Sequence, residues 1–341
     1  MNEKKKFDLD LQLFATAGNT TGSNTTGNDL STEMKTYYSD YLIDMAGPLL
    51  VHDQFGQKHP IPKNGGKTIE FRKYSPLAKA TTALTEGVTP DGQALDVSAI
   101  TATVDQYGGW IQLPDMLLLT AIDNNMIQAT QLLGDQAGRT LDTVTREVLN
   151  GGTNVQYYNG SVASRAALTG SNKLTVDCIF RAVRALKVQN AKPIDGSFVG
   201  IIHPDVAYDL MRSTEWIDLQ KYTNNVEHVF NGEIGKIAGV RFVETTEAKI
   251  FAKAGAKPSQ DAANGIDVYA TLILGSNAYG VTEVTGGGLQ HIVKQLGSSG
   301  AADPLNQRAS VGWKAVKVAE RLVEQYMIRI ETGSTFNSGA N

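Results

Sequence analysis

The segment PDMLLLTAIDNNMIQATQLLGDQAGRTLDTVTREVLNGG, residues 114–152, decides how the rest of the chain is read. Leu118, Ile122, Met126, Ala129, Leu133, Ala137, Leu141, Val144 and Val148 recur every three or four residues, with a mean spacing of 3.75, near the helical period. Pro114 suits the first helical turn and Asp115 the positive end of the dipole. Asn150-Gly151-Gly152 is a stop signal. At ~1.5 Å per residue, 114–150 would span about 55 Å, more than a compact domain of this size needs. Gly134 and Gly138 each cost about 1 kcal/mol relative to Ala, so they mark close packing or a slight bend.

On the N-terminal side, KTIEFRKY (67–74) alternates, with Ile69 and Phe71 on one side and Glu70 and Arg72 on the other. That is the pattern of a half-buried strand. ALDVSAITATVDQYGGWIQL (94–113) reads as its returning partner. The connection SPLAKATTALTEGVTPDGQ carries Pro76, Pro90 and Asp91-Gly92, a turn signature. A hairpin this long with a polar tip is not stable alone in water, so something outside it must hold it. Residues 16–32, TAGNTTGSNTTGNDLST, hold too little apolar surface to offset ordering entropy and are expected to form a flexible arm.

On the C-terminal side the pattern turns mixed. TVDCIFRAVRALKVQ reads as a helix, SFVGIIHPDVAYDLMRS as strand, turn and helix, and GKIAGVRFVETTEA and DVYATLILGSNAYGVTEV as strands. The terminal stretch VGWKAVKVAERLVEQYMIRIET reads as sheet, with Leu322, Tyr326, Ile328 and Ile330 on one face and Gln325, Arg329 and Glu331 on the other. ADPLNQRASVGWKAV (301–315) holds Asp303, Asn306, Gln307, Arg308 and Lys314 around Trp313. By composition alone it is either an active-site lining or a structural corner.

The 341 residues are enough for two lobes. A net charge of −4 gives no basic face for nucleic-acid reading, and Lys4, Lys5 and Lys6 read as a solvated terminus. The single Cys178 excludes an internal disulfide and falls on a helix with Val176, Ile179, Val183 and Leu186, as a small buried hydrophobe. No apolar run reaches the ~18 residues of a membrane span, and Asp8 and Asp10 interrupt the apolar part of the N-terminus that a signal peptide would need. The chain is therefore expected to stay in the cytoplasm, with the sequons at Asn19, Asn24 and Asn159 coincidental.

No catalytic spacing emerges. GGKT (65–68) ends like a phosphate loop, but Ile61 stands where that loop needs Gly, and a strand follows. His52, His59, His203, His228 and His291 show no metal-ligand spacing, so no metal and no cofactor is expected. His203-Pro204-Asp205 reads as a strand-to-helix turn. Glu320, Glu324 and Glu331 among Lys317, Arg321 and Arg329 read as cross-strand ion pairs rather than acid–base machinery.

The order of parts resembles the major capsid protein of tailed double-stranded DNA bacteriophages, an α+β protein of the Hong Kong 97 fold, and within it the phage N-four-type subgroup. FDLDLQLFA (7–15), GKTIEFRKY (66–74), LTEGVTPDGQ (84–93), the 117–151 helix and ADPLNQRASVGWKAV (301–315) carry the resemblance. It implies an N-terminal arm at 1–45, partly flexible, an extended hairpin loop region at 46–113 and a spine helix with the first part of a peripheral domain at 114–170. An axial domain at 171–288 and a second, β-rich part of the peripheral domain at 289–341 follow. It makes the 301–315 stretch a corner, with Trp313 anchoring the returning strand on the long helix and Arg308 in a subunit contact or loop brace. The inter-subunit contacts it implies are Lys79, Glu86, Asp91, Arg308 and Trp313. The implied function is structural and non-enzymatic: hexamers and pentamers of the chain form an icosahedral head around double-stranded DNA, which is touched weakly and nonspecifically. A separate scaffolding protein, a portal and decoration proteins are the other partners, and no membrane is. The alternatives are a nanocompartment shell of the same fold and a soluble α/β enzyme with its site in 171–288, which would show a pocket with perturbed ionisable groups.

Overall fold

The computed structural model describes residue 42 and residues 50–60, 67–74, 77–87, 89, 91–120, 125–217, 235–258, 264–283, 289–298 and 303–336. Most of the expected arm, the Gly65-Gly66 pair, Lys4 to Lys6 and His228 lie outside them. The strands in chain order are β1 Gln57–His59, β2 Thr68–Tyr74, β3 Val97–Thr103, β4 Asp105–Pro114 and β5 Val155–Tyr157. They continue with β6 Phe198–Ile202, β7 Lys236–Ile237, β8 Val240–Glu244, β9 Ile250–Phe251 and β10 Val268–Leu274. The last are β11 Tyr279–Thr282, β12 Leu289–Lys294, β13 Arg308–Lys317, β14 Ala319–Arg321 and β15 Met327–Thr332. The helices are α1 Asp115–Thr120, α2 Asn125–Asn150, α3 Val176–Val188 and α4 Pro204–Met211. The long periodic segment is thus helical on both sides of 121–124, which lie outside the described residues.

The chain divides into two bodies. The first takes Gly108–Ala137 and Leu289–Ala315 from the described residues. Its sheet runs β12-β13-β4, with β12 antiparallel to β13 and Gln290 opposite Lys314, Ile292 opposite Gly312 and Lys294 opposite Ser310. Alternation sorts the side chains. Val311 and Trp313 are buried on one face, and the Trp313 indole donates to Gln136 Oε1 of α2 at 3.1 Å. A β-carbon at Gly109 would lie 2.4 Å from that same Gln136 oxygen, so the bare backbone is what lets helix and strand meet.

The second body takes Pro48–Tyr107, Gly138–Gly288 and Val316–Asn341. Its main sheet runs β5-β15-β10-β6-β8-β7, with β9 added on β10. Both faces are covered. Tyr269, Ile273, Ile328 and Ile330 join α3 and α4 in one core. Leu272, Leu274 and Met327 join Leu149, Tyr279 and Val281 in the other. This double cover corrects the alternation expected for the terminal strand: every residue of β15 is buried, Arg329 and Glu331 included. Central strands covered on both faces lose their period-two signal.

The hairpin is confirmed only at its base. β2 and β3 pair antiparallel from Thr68 opposite Thr103 to Tyr74 opposite Val97. The expected returning strand is two strands: Val104 donates to the Lys67 carbonyl at 2.8 Å, and β4 then enters the other body's sheet. Phe71 is buried against Gly280 of β11, where a β-carbon would fall 2.4 Å from the ring. His59 meets the same ring edge-on at 4.8 Å.

Candidate assembly surfaces and the braces behind them

Beyond the hairpin base, residues 77–87, 89 and 91–96 are exposed throughout. Lys79, Glu86 and Asp91 sit here. Gln93 Nε2 donates to the Ala78 carbonyl at 3.2 Å and Thr81 N–H to the Lys79 carbonyl at 3.1 Å within the loop. The tip is less polar than its turn residues imply, because Leu77, Leu84 and Leu95 stand out of it and Leu84 is 77% exposed. Free leucines at that exposure cost solvation that a covering surface would recover.

The first body has a second such surface. Trp110 is 68% exposed and lies over Gly312, a β-carbon at 312 falling 2.9 Å from its own, beside Ile292 on the next strand. Trp313, one residue on, faces the other way and is buried. Arg308 begins β13 with an exposed side chain. Its backbone N–H donates to Asp303 Oδ2 at 2.7 Å, and Asn306 N–H to the Asp303 carbonyl at 3.1 Å. The buried Asp303 braces this corner. Of the residues singled out from sequence, Lys79, Glu86 and Asp91 share the loop of the second body, and Arg308 and Trp313 share β13 in the first.

Polar braces inside the second body fix the chain around the C-terminal half of α2. Asp53 accepts from the Lys317 ammonium, which is wholly buried, and from the Thr145 hydroxyl at 2.6 Å. His52 bonds Asp142 through its backbone N–H and through Nδ1, each at 2.7 Å, and its carbonyl accepts from the Tyr279 hydroxyl. Burial, with Asp53 and Asp142 nearby, pushes the Tyr279 phenol well above its ordinary value, so it stays a donor. At the helix end, Arg321 donates to the Val148 carbonyl at 3.1 Å and Arg329 to those of Asn150 and Gly152. These cations satisfy orphan carbonyls at the negative end of the dipole. Buried Glu331 holds Arg329 at 2.8 Å and Arg165 at 2.6 Å, with the Arg165 guanidinium 3.4 Å from the Phe251 ring centroid. The ion pairs expected across the terminal strands form instead locally, Arg329 with Glu331 two residues on in the same strand and Arg321 with Glu324 three residues on, while Lys317 goes to Asp53.

Ionisable groups in 171–288 are shifted for structural reasons. Burial raises Cys178 and Glu244. Burial and the bond to Asp205 raise Tyr269, whose hydroxyl also lies 2.6 Å from the Phe336 carbonyl. Burial would raise Asp209, but bonds from Thr335 and Ser334 outweigh it and hold the carboxyl below its ordinary value. His203 caps α4 by accepting from Asp205 N–H, the expected turn. Among the described residues no group of three His, Cys, Asp or Glu side chains could hold a metal ion. Tyr269 and Asp209 thereby pin the chain's C-terminal segment, through Phe336, Ser334 and Thr335.

The architecture and its outward apolar surfaces define a structural subunit. The chain belongs to the phage capsid protein family, whose sequence model, described as phage capsid protein, matches residues 120–296. Its fold is that of solved phage capsids. The capsid of the cyanophage P-SCSP1u superposes with a TM-score of 0.62 at 15% identity, over 82% of this chain and 87% of that one. The Ralstonia phage GP4 capsid gives 0.61 at 16% identity, over 84% and 87%, and the cyanophage Pam1 capsid 0.59 at 15%, over 86% and 92%. No curated protein matches the chain. It is accordingly a capsid protein of the Hong Kong 97 class, a building block of the virion shell.

Proposed function

We propose that copies of the chain associate as hexamers and pentamers that close into an icosahedral head around double-stranded DNA. The exposed 77–96 loop carries this reading. It presents three exposed leucines, Leu77, Leu84 and Leu95, so it is built to be covered by another copy. Contacts of this kind that run head to tail close into rings when the rotation permits. Lys79, Glu86 and Asp91 would meet the covering subunit, and Arg308 and the Trp110 face would serve contacts of the first body. In the shell, 1–45 would act as an arm, 46–113 as the extended loop region and 114–170 with 289–341 as the peripheral part, with 171–288 gathered around the symmetry axes. Assembly in the bacterial cytoplasm, aided by a separate scaffolding protein and joined by portal and decoration proteins, completes the reading. DNA inside would be touched weakly and nonspecifically.

Deleting 77–92 tests it. The hairpin base keeps its register and its Phe71 anchor, so the subunit folds with unchanged circular dichroism but forms no shells in negative-stain micrographs. Particles of normal size and yield from the deleted chain would overturn the assignment.

A further inference from the structure

We propose that a groove beside α3 receives the N-terminal segment Phe7–Phe14 of a second copy of the chain. Helix α3 fills the core with one face, through Cys178, Ile179, Ala182, Val183 and Leu186. Yet its outer side also carries large apolar groups, Phe180 at 54% and Val188 at 63% exposure. Together with the Ala238-Gly239 turn they line one open groove. Both turn residues have left-handed backbones, φ 52° and 82°, and neither carries more than a methyl group, which keeps that wall low. Arg184 and Lys187 stand at the rim. Neither makes an ion pair among the described residues, whereas the neighbouring Arg181 is held by Asp177 at 2.9 Å. An apolar floor under two cations three residues apart on a helix calls for an extended peptide that alternates apolar and acidic side chains.

The chain contains such a peptide. In FDLDLQLF, residues 7–14, Phe7, Leu9, Leu11 and Leu13 alternate with Asp8, Asp10 and Gln12. In an extended strand the two carboxylates project from one edge about 7 Å apart. Arg184 and Lys187, three apart on a helix, have β-carbons about 5–6 Å apart, a difference their long side chains absorb. The leucine edge then covers Phe180 and Val188 while the aspartates reach the rim. Twenty-eight residue steps separate Phe14 from Leu42. At up to ~3.3 Å each they reach about 90 Å, far enough to cross to another subunit. The pairing concerns two segments of the chain and does not depend on shell symmetry.

Disulfide trapping in the full chain tests it. Leu11→Cys with Val188→Cys, oxidised as concentrated soluble subunits and again as shells, is expected to give covalent dimers and longer ladders on non-reducing gels, with each single variant as control. Asp8→Lys with Asp10→Lys should slow trapping about tenfold or more, and adding Arg184→Glu with Lys187→Glu should restore it. Absence of a cross-link, a cross-link confined to single chains, or trapping indifferent to the charge swap would each overturn the proposal. Trapping that persists in soluble subunits while no shell forms would support it and count against the shell reading instead.

Discussion

Replacing Lys317 with methionine should expose how much the second body depends on one buried pair. The Lys317 side chain has no solvent contact, and Asp53 has little. Removing one partner of such a pair costs ~3–5 kcal/mol, because a charge stays behind without its complement. In Lys317→Met, Asp53 keeps the Thr145 hydroxyl at 2.6 Å, which offsets about 1 kcal/mol. The expected loss is about 2–4 kcal/mol. Asp53→Ala leaves the ammonium stranded, and the Thr145 hydroxyl has only the Leu141 carbonyl at 3.5 Å to turn to, so the loss should approach ~5 kcal/mol. The double variant Lys317→Met with Asp53→Leu removes both charges and should fall within about 2 kcal/mol of the parent. The singles and the double therefore differ from additivity by several kcal/mol. Urea unfolding of dissociated subunits, followed by circular dichroism and extrapolated to water, measures all four forms. If the singles each cost less than about 1 kcal/mol, or the double costs their sum, water reaches the pair and the reasoning fails.

Glu331→Gln should cost about 3 kcal/mol in the same assay, because the Arg165 and Arg329 guanidiniums then share a buried site without their carboxylate; Arg165→Met, whose side chain is partly exposed, should cost less. Gly280→Val drives a side chain into the Phe71 ring, 2.4 Å from where its β-carbon would fall; a loss of about 1–3 kcal/mol is expected, with partial rescue by Phe71→Leu. His291 is held near 4 by burial, below its ordinary 6.5. The unfolded chain takes the proton first, so its contribution is full above pH 6.5 and is lost as pH falls towards 4. Discounted for partial exposure, this amounts to about 1–2 kcal/mol, and His291→Gln should flatten the stability profile in that window alone. Asp209, held below its ordinary value, contributes in the other window: its stabilisation is present above about pH 4 and is lost on further acidification, so Asp209→Asn should lower stability by a constant amount across 4 to 6.5, leaving the slope there unchanged, and remove the loss below it.

The long helix was legible because a one-sided stripe repeats its period many times, from Met126 to Val148. The hairpin base was legible for the same reason at period two. What the sequence hid lies where local pattern and tertiary cover part company. β10 and β15 are covered on both faces, so Arg329 and Glu331 read as an outer face when they are interior. The partner of Lys317 stands 264 residues away, and nothing near Lys317 in the sequence points to Asp53. The break at Val104 was invisible because ALDVSAITATVDQYGGWIQL has strand character throughout, and only the choice of partner strand divides it. Of the outward surfaces, Phe180 and Val188 could have been flagged, since both fall off the apolar face set by Ile179, Val183 and Leu186. The opposite facing of Trp110 and Trp313 was hidden, because it depends on β4 pairing with β13, which lies about 200 residues on.

The division of labour between inner and outer groups bears on how such a shell can form. The charges around the end of α2 are satisfied within the subunit, so strands β15 and β13 arrive already fixed. Leu77, Leu84, Leu95 and Trp110 are the opposite case, apolar groups that the subunit itself leaves in water. Burying a leucine-sized side chain is worth roughly 1.5–3 kcal/mol, so covering these four would supply about 6–12 kcal/mol per subunit. Lost rigid-body freedom and the ordering of the loop consume much of that. The residue per contact is small, which lets a misplaced subunit leave, while contacts on several sides of each copy hold a completed lattice. A loop tip rebuilt with more apolar surface should therefore assemble faster but trap more misclosed particles.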